Sequence, residues 1–180
     1  MKKQTIIITI LLHTLLLIAV YILQGVIFPF IRINGLVPLM LPIASTGIAL
    51  YEGRYTGGIA GLFAGILCDI SFNQPVGVFT VFLTLSGLLI GTLADTVILR
   101  GFVTYYICCA AVLVVSAFVQ MYPMIMAFAT DPDNSIPLQA VISTTIQQTI
   151  YSLILAFPIW FFVQALGKHT ERVSPSGRVY

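Results

Sequence analysis

The run Gly57-Gly58-Ile59-Ala60-Gly61-Leu62-Phe63-Ala64-Gly65-Ile66-Leu67-Cys68-Asp69, followed further on by Gly87-Leu88-Leu89-Ile90-Gly91-Thr92-Leu93-Ala94-Asp95, writes one rule twice: glycine, three spacers, glycine, three spacers, aspartate. Positions four apart on a helix lie one above another, so Gly57, Gly61, Gly65 and Asp69 share one helix face. Gly87, Gly91 and Asp95 share a face of the next. Missing side chains let a neighbouring backbone approach closely, which is where van der Waals association of helices gains most in lipid. Two uses of these faces stand open: packing of the helices within their own bundle, and docking of another membrane protein.

Lipid is the setting because of the rest of the chain. Of 180 residues, 59% are hydrophobic and 8% charged, and the mean hydropathy is +1.05. A soluble domain of this length cannot hide so much apolar surface, so the chain reads as an all-α, polytopic integral membrane protein. The net charge of +2 offers no argument for nucleic acid.

Apolar segments over residues 5–28, 36–51, 55–70, 76–94, 102–129 and 138–166 predict six transmembrane helices in one domain, 1–167, with a cytoplasmic tail at 168–180. A bilayer core takes about 20 residues of helix, with about 17 to 25 tolerated, so the second and third segments are short. They form either two short spans or a re-entrant hairpin. Glu52 and Arg54 in the turn between them favour two spans, since ions at membrane depth are costly. With the amino terminus inside, Lys2, Lys3, Arg54, Arg100, Lys168, Arg172 and Arg178 collect on the cytoplasmic side and Arg32 stands alone outside. That bias predicts both termini in the cytoplasm. Lys2-Lys3 and the apolar run after them imitate a secretory signal, but the run is too long and no small-x-small site closes it, so an uncleaved first helix is expected.

In this topology the third and fourth helices run antiparallel, and the two aspartates fall at opposite membrane faces. They are therefore separate features rather than a catalytic dyad. Asp69 precedes Ser71-Phe72-Asn73-Gln74-Pro75, a turn-forming cluster, and Pro75 and Gly77 open the next helix. A carboxylate there is expected to accept backbone N–H bonds and hold the reversal tight. Asp95, beside Arg100, reads as a solvated end.

Chemistry-bearing groups are sparse. Cys68, Cys108 and Cys109 show neither disulfide nor zinc spacing, and His13 and His169 have no ligand-forming neighbours in sequence. No nucleophile-base pair or phosphate loop is visible, so no enzyme, cofactor or metal site is expected. Pro123 is expected to bend the fifth helix. The first half of the sixth helix is polar, with Gln139, Ser143, Thr144, Thr145, Gln147, Gln148, Thr149, Tyr151 and Ser152. Interhelical hydrogen bonds, worth about 0.6 kcal/mol each, explain some of these. A small outer cavity lined by Gln139, Thr144, Gln147, Gln148 and Tyr151 is the other reading.

The glycine-rich third helix ending in Leu67-x-Asp69, with Gly77 and Gly87 through Gly91 after it, and Pro38-Leu39-Met40-Leu41 and Glu52-Gly53 before it, resembles the rod shape-determining protein MreD family. Many members carry aspartate after that proline, whereas this chain has Leu39. The resemblance implies a non-enzymatic, multi-pass subunit of the bacterial plasma membrane. It would bind the bitopic protein MreC and couple MreB filaments to peptidoglycan synthesis by RodA and a penicillin-binding transpeptidase. The family's fold is similar to the substrate-binding subunits of energy-coupling-factor vitamin or metal transporters, which supplies the alternative function. Such a subunit would need small residues on its first helix to dock the energising partner, and Ile6-Ile7-Ile8-Thr9-Ile10-Leu11-Leu12 offers bulky ones. A small permease is a third reading, and the glycine-aspartate repeat is too short to establish the inverted repeats it would need.

The orientation has a direct check. A cysteine substituted for Asp133 should react with a membrane-impermeant thiol reagent from outside the cell, and protection there would overturn the topology.

Overall fold

The computed structural model describes residues 2–27, 37–72, 77–96, 101–120 and 138–173, with side chains described in 11–26, 37–72, 77–96, 101–120 and 142–165. Six α-helices occupy them: α1 (Lys2–Ile22), which closes in a π-helical turn over Leu23–Ile27, α2 (Met40–Glu52), α3 (Arg54–Phe72), α4 (Val78–Thr96), α5 (Phe102–Gln120) and α6 (Leu138–Val173). Pro75, Pro123, the Gln139 side chain, Arg32, Arg100, Asp133 and the tail from Ser174 lie outside the described residues. So does 121–129, the expected end of the fifth helix.

Four helices have the length and composition of a membrane span: α3, α4, α5 and the Ile142–Ala165 part of α6. Among the described side chains α1 contributes a shorter apolar stretch, Leu11–Val26. Lipid-facing rows are apolar at helical spacing, as in Leu85, Leu89 and Leu93 of α4 or Ile146, Ile150 and Ile154 of α6, all exposed. At 1.5 Å per residue, α6 with its 36 residues is about 54 Å long, well beyond a hydrocarbon core of about 30 Å. Its helix continues to Val173, so the first part of the expected tail is helical.

The second helix is the shortest of the six. It has 13 residues, a length of about 20 Å, and cannot cross a bilayer core unaided, whereas α3 can. Every residue from Met40 to Leu50 is buried, and α2 packs against each of the other five helices. A helix that is hydrophobic all round belongs inside, and here it is the axis of the bundle. Leu41, Ile43, Ile48 and Leu50 meet Phe79, Leu83, Tyr105 and Val163 in one continuous core. The hydroxyls of Ser45 and Thr46 donate to the carbonyl of Pro42 in their own helix, at 3.0 and 2.8 Å, so they do not burden that core.

A single residue joins α2 to α3. Gly53 has φ +86°, closes α2 by donating its N–H to the Ala49 carbonyl, and accepts from Gly57 N–H. Side-chain-bearing residues rarely adopt that conformation, and a Cβ there would also stand 2.7 Å from the Asp95 carboxylate.

The glycine rows are turned inward on one another. A Cβ on Gly57 would lie 2.6 Å from the Ala49 methyl of α2 and 2.9 Å from the Gly87 carbonyl of α4. One on Gly61 would strike the Leu83 carbonyl, one on Gly65 the backbone of Phe79 and Thr80, and one on Gly91 would lie 2.6 Å from the Cα of Arg54. The two antiparallel helices thus touch backbone to backbone along their length. Gly58 differs, because its Cβ would meet the flexible tip of Leu88 instead.

Gly61→Leu should therefore abolish recovery of folded protein from membranes, since overpacking costs about 1–3 kcal/mol even where neighbours can move and a carbonyl cannot. Gly58→Ala should leave the yield and the monodisperse elution profile intact.

Candidate functional site

Asp69 ends the glycine row of α3 and is 4% exposed. Its Oδ2 accepts from the N–H of Gly77 at 2.9 Å, the N–H of Thr80 at 3.2 Å and the Thr80 hydroxyl at 2.6 Å. Its Oδ1 accepts from the Phe79 N–H at 2.9 Å. These are donors of the first turn of α4, which have no acceptor within their own helix. One carboxylate from the preceding helix satisfies three of them, and its charge lies at the positive end of the α4 dipole. Gly77, at φ +110°, turns the chain into position for this.

The second aspartate does the converse. Asp95, at the carboxyl end of α4, accepts from the Arg54 N–H at the start of α3, at 3.1 Å. Asp95 is exposed, in keeping with its reading as a solvated end, and its carboxylate in addition caps a helix. Each helix of the hairpin ends in an aspartate that closes the start of the other. The repeated motif is therefore a pseudo-twofold device, with the glycines bringing two backbones together and the aspartates sealing both ends.

The start of α2 is closed from two further helices. Leu39 N–H donates to Ser152 Oγ of α6 at 2.9 Å, and the Met40 and Leu41 N–H groups donate to Gln24 Oε1 of the π-helical turn at 3.0 and 3.3 Å. The next position is Pro42, which has no N–H to satisfy. Gln148 of α6 adds a bond from Nε2 to the Val37 carbonyl at 3.0 Å, and Ser152 donates onward to the Gln148 carbonyl at 2.7 Å. At the other end of α2, Trp160 of α6 donates to the Tyr51 hydroxyl at 2.8 Å. Around that contact Phe102, Tyr106, Phe157 and Phe161 stack at centroid distances of 4.7 to 6.1 Å, a cluster of the kind found at membrane interfaces.

The polar residues of α6 accordingly divide. Thr145, Gln148 and Ser152 are buried, Thr144 and Tyr151 are half-buried, and Gln147 is exposed. Their burial differs, and the two most deeply engaged, Gln148 and Ser152, hold the segment that begins α2. The hydroxyls of Thr84, Ser86, Thr92 and Thr96 on α4 bond to carbonyls of their own helix. Among the described residues no group of three His, Cys, Asp or Glu could hold a metal ion.

Gln24, Asp95 and the contact between His13 and Glu52 escape sequence reasoning. A lone amide in an otherwise apolar run just before Gly25 is the signal that could have found Gln24. His13 Nε2 lies 3.6 Å from Glu52 Oε1, across a sequence separation that no spacing rule connects.

The chain matches the family model described as rod shape-determining protein MreD over residues 3–170, nearly its whole length. No curated protein and no solved structure matches it significantly.

The caps predict unequal costs. Asp69→Asn keeps one acceptor oxygen for four donors in a buried site, and should lower unfolding stability by about 1–3 kcal/mol. Asp95→Asn, at an exposed helix start where water can substitute, should cost about 0.5 kcal/mol. Thermal denaturation of the two variants in one detergent would compare them, and equal losses would contradict this account.

Proposed function

Because this chain belongs to the MreD family of rod shape-determining proteins, we propose that this membrane protein acts as a scaffold of the cell-elongation complex. In this reading it binds a single-span MreC-like protein in the plasma membrane. Through that partner it couples MreB filaments to the peptidoglycan-synthesising pair of RodA and a penicillin-binding transpeptidase. The family match over residues 3–170 is the observation that carries the reading.

The architecture supports a role through helix faces rather than through a ligand. The glycine rows are filled by α2 and by each other, so the partner surface proposed here is the outward side of α1 and α3. There Leu11, Leu15 and Ile18 of α1 and Ile59, Phe63 and Ile66 of α3 are exposed. Gln148 and Ser152 of the polar part of α6 are bound to the backbone around α2.

Co-expression with an affinity-tagged MreC-like protein, followed by purification in mild detergent, tests the proposal. The two should elute together, and Ile59→Trp with Phe63→Ala should weaken the complex at least several-fold while leaving the subunit folded. Tight binding of a vitamin to the isolated subunit, with no such partner recovered, would overturn it.

A further inference from the structure

α1 and α3 run in the same direction, because α2 runs against both. Gln24, after α1, meets the start of α2 and His13 of α1 meets its end, while Gly53 alone turns α2 into α3. Between α1 and α3 lies a cleft lined by His13, Thr14 and Leu17 on one side and by Thr56, Ala60 and Phe63 on the other. Its volume is about 10 Å³, room for one water-sized group. That is too little for a vitamin and enough for the tip of one side chain. The Thr56 hydroxyl makes no hydrogen bond among the described residues. Those of Thr84, Thr92 and Thr96 on α4 bond to carbonyls of their own helix. Hydrocarbon offers a free hydroxyl nothing, whereas a polar side chain on an adjacent helix does.

Two rows of exposed residues run past the cleft: Leu11, Leu15, Ile18 and Ile22 on α1, and Tyr55, Ile59, Leu62 and Ile66 on α3. Leu11 and Ile18 lie a helical turn to either side of Thr14, and Ile59 itself lines the cleft. Both rows step by four, three and four residues, and their members pair in order along the parallel helices. Alternating steps of four and three mark the a and d seam along which one helix packs on another in a left-handed supercoil. The exposed row of α4, Val81, Leu85, Leu89 and Leu93, steps by four throughout.

We propose that the groove between the α1 and α3 rows seats the membrane-spanning helix of the single-span partner, and that the cleft in its floor receives one neutral hydrogen-bonding side chain of that helix, bonded to the Thr56 hydroxyl. On the scaffold reading above, this fixes what the partner helix carries: apolar residues at a and d spacing, and a serine, threonine, asparagine or glutamine at the level of Thr56. No carboxylate, lysine or arginine lines the cleft among the described residues, so a charged side chain there would lack a counter-ion. The rows offer contact to any apolar helix. The single polar contact selects one helix and sets its register, as a lone polar residue does in a coiled-coil seam.

The test uses the full chain co-expressed with the affinity-tagged single-span protein. A photo-reactive amino acid replaces Ile18, Leu62 or, as a control on α4, Leu89. The first two should cross-link to the partner's membrane-spanning helix and the third should not. Thr56→Val, which keeps the shape and removes the hydroxyl, should lower the recovered partner about threefold or more. Thr56→Ser should restore it, and both variants should elute as the unsubstituted subunit does. Leucine in place of one polar residue of the partner's span should mimic Thr56→Val, and the two changes together should lose no more than either alone. Undiminished recovery with Thr56→Val overturns the polar seat. Cross-links from Ile18 and Leu62 to lipid alone, with the partner still recovered, overturn the groove and leave the scaffold reading standing. Failure of the unsubstituted pair to co-purify overturns both.

Discussion

A backbone N–H in the first turn of a helix has no acceptor in that helix, and hydrocarbon offers no water in its place. The architecture follows from how those donors are met. α2, α3 and α4 each begin against a side chain that belongs to another helix: Ser152 and Gln24 for α2, Asp95 for α3, Asp69 for α4. A soluble protein can leave such ends to solvent or to a local serine. Here the caps double as tertiary contacts, so closing a helix end and fixing the neighbour's position are the same event. This is what allows α2, too short to reach both faces of a bilayer, to sit wholly inside the bundle with its polar start satisfied.

The glycines and the aspartates depend on each other. An aspartate side chain has one methylene, and it reaches three backbone donors of α4 because the helix axes lie as near as backbone contact permits. The rows Gly57, Gly61, Gly65 and Gly87, Gly91 create that nearness. Widening the hairpin with one larger residue would therefore loosen the packing and draw both carboxylates off their donors together.

What could be read in advance is what is local. The four-residue spacing, the helical class and the membrane setting are properties of short windows, and so is the turn around Asp69. The interior position of α2 is not local: Met40 to Leu50 has the composition of a span, and its length alone hints otherwise. The caps on α2 join Leu39 to Ser152 and Val37 to Gln148, and no periodicity relates residues so far apart. The exposure of Asp95 could be read from its place at a helix end, while its bond to Arg54, at the start of a different helix, could not. His13 lacked a carboxylate nearby in sequence and found one through the antiparallel run of α1 beside α2.

The two kinds of cap also differ in when they can form. Asp69 and its donors lie within 11 residues of one another, and Asp95 follows Arg54 by 41, so the α3–α4 hairpin holds everything it needs as soon as α4 has been made. α2 does not. Its Leu39 donor must await Ser152, 113 residues later in the chain. Biosynthesis of this protein thus runs out of spatial order: the hairpin is finished early at the flank, and the central helix becomes stable in its place when the last helix arrives.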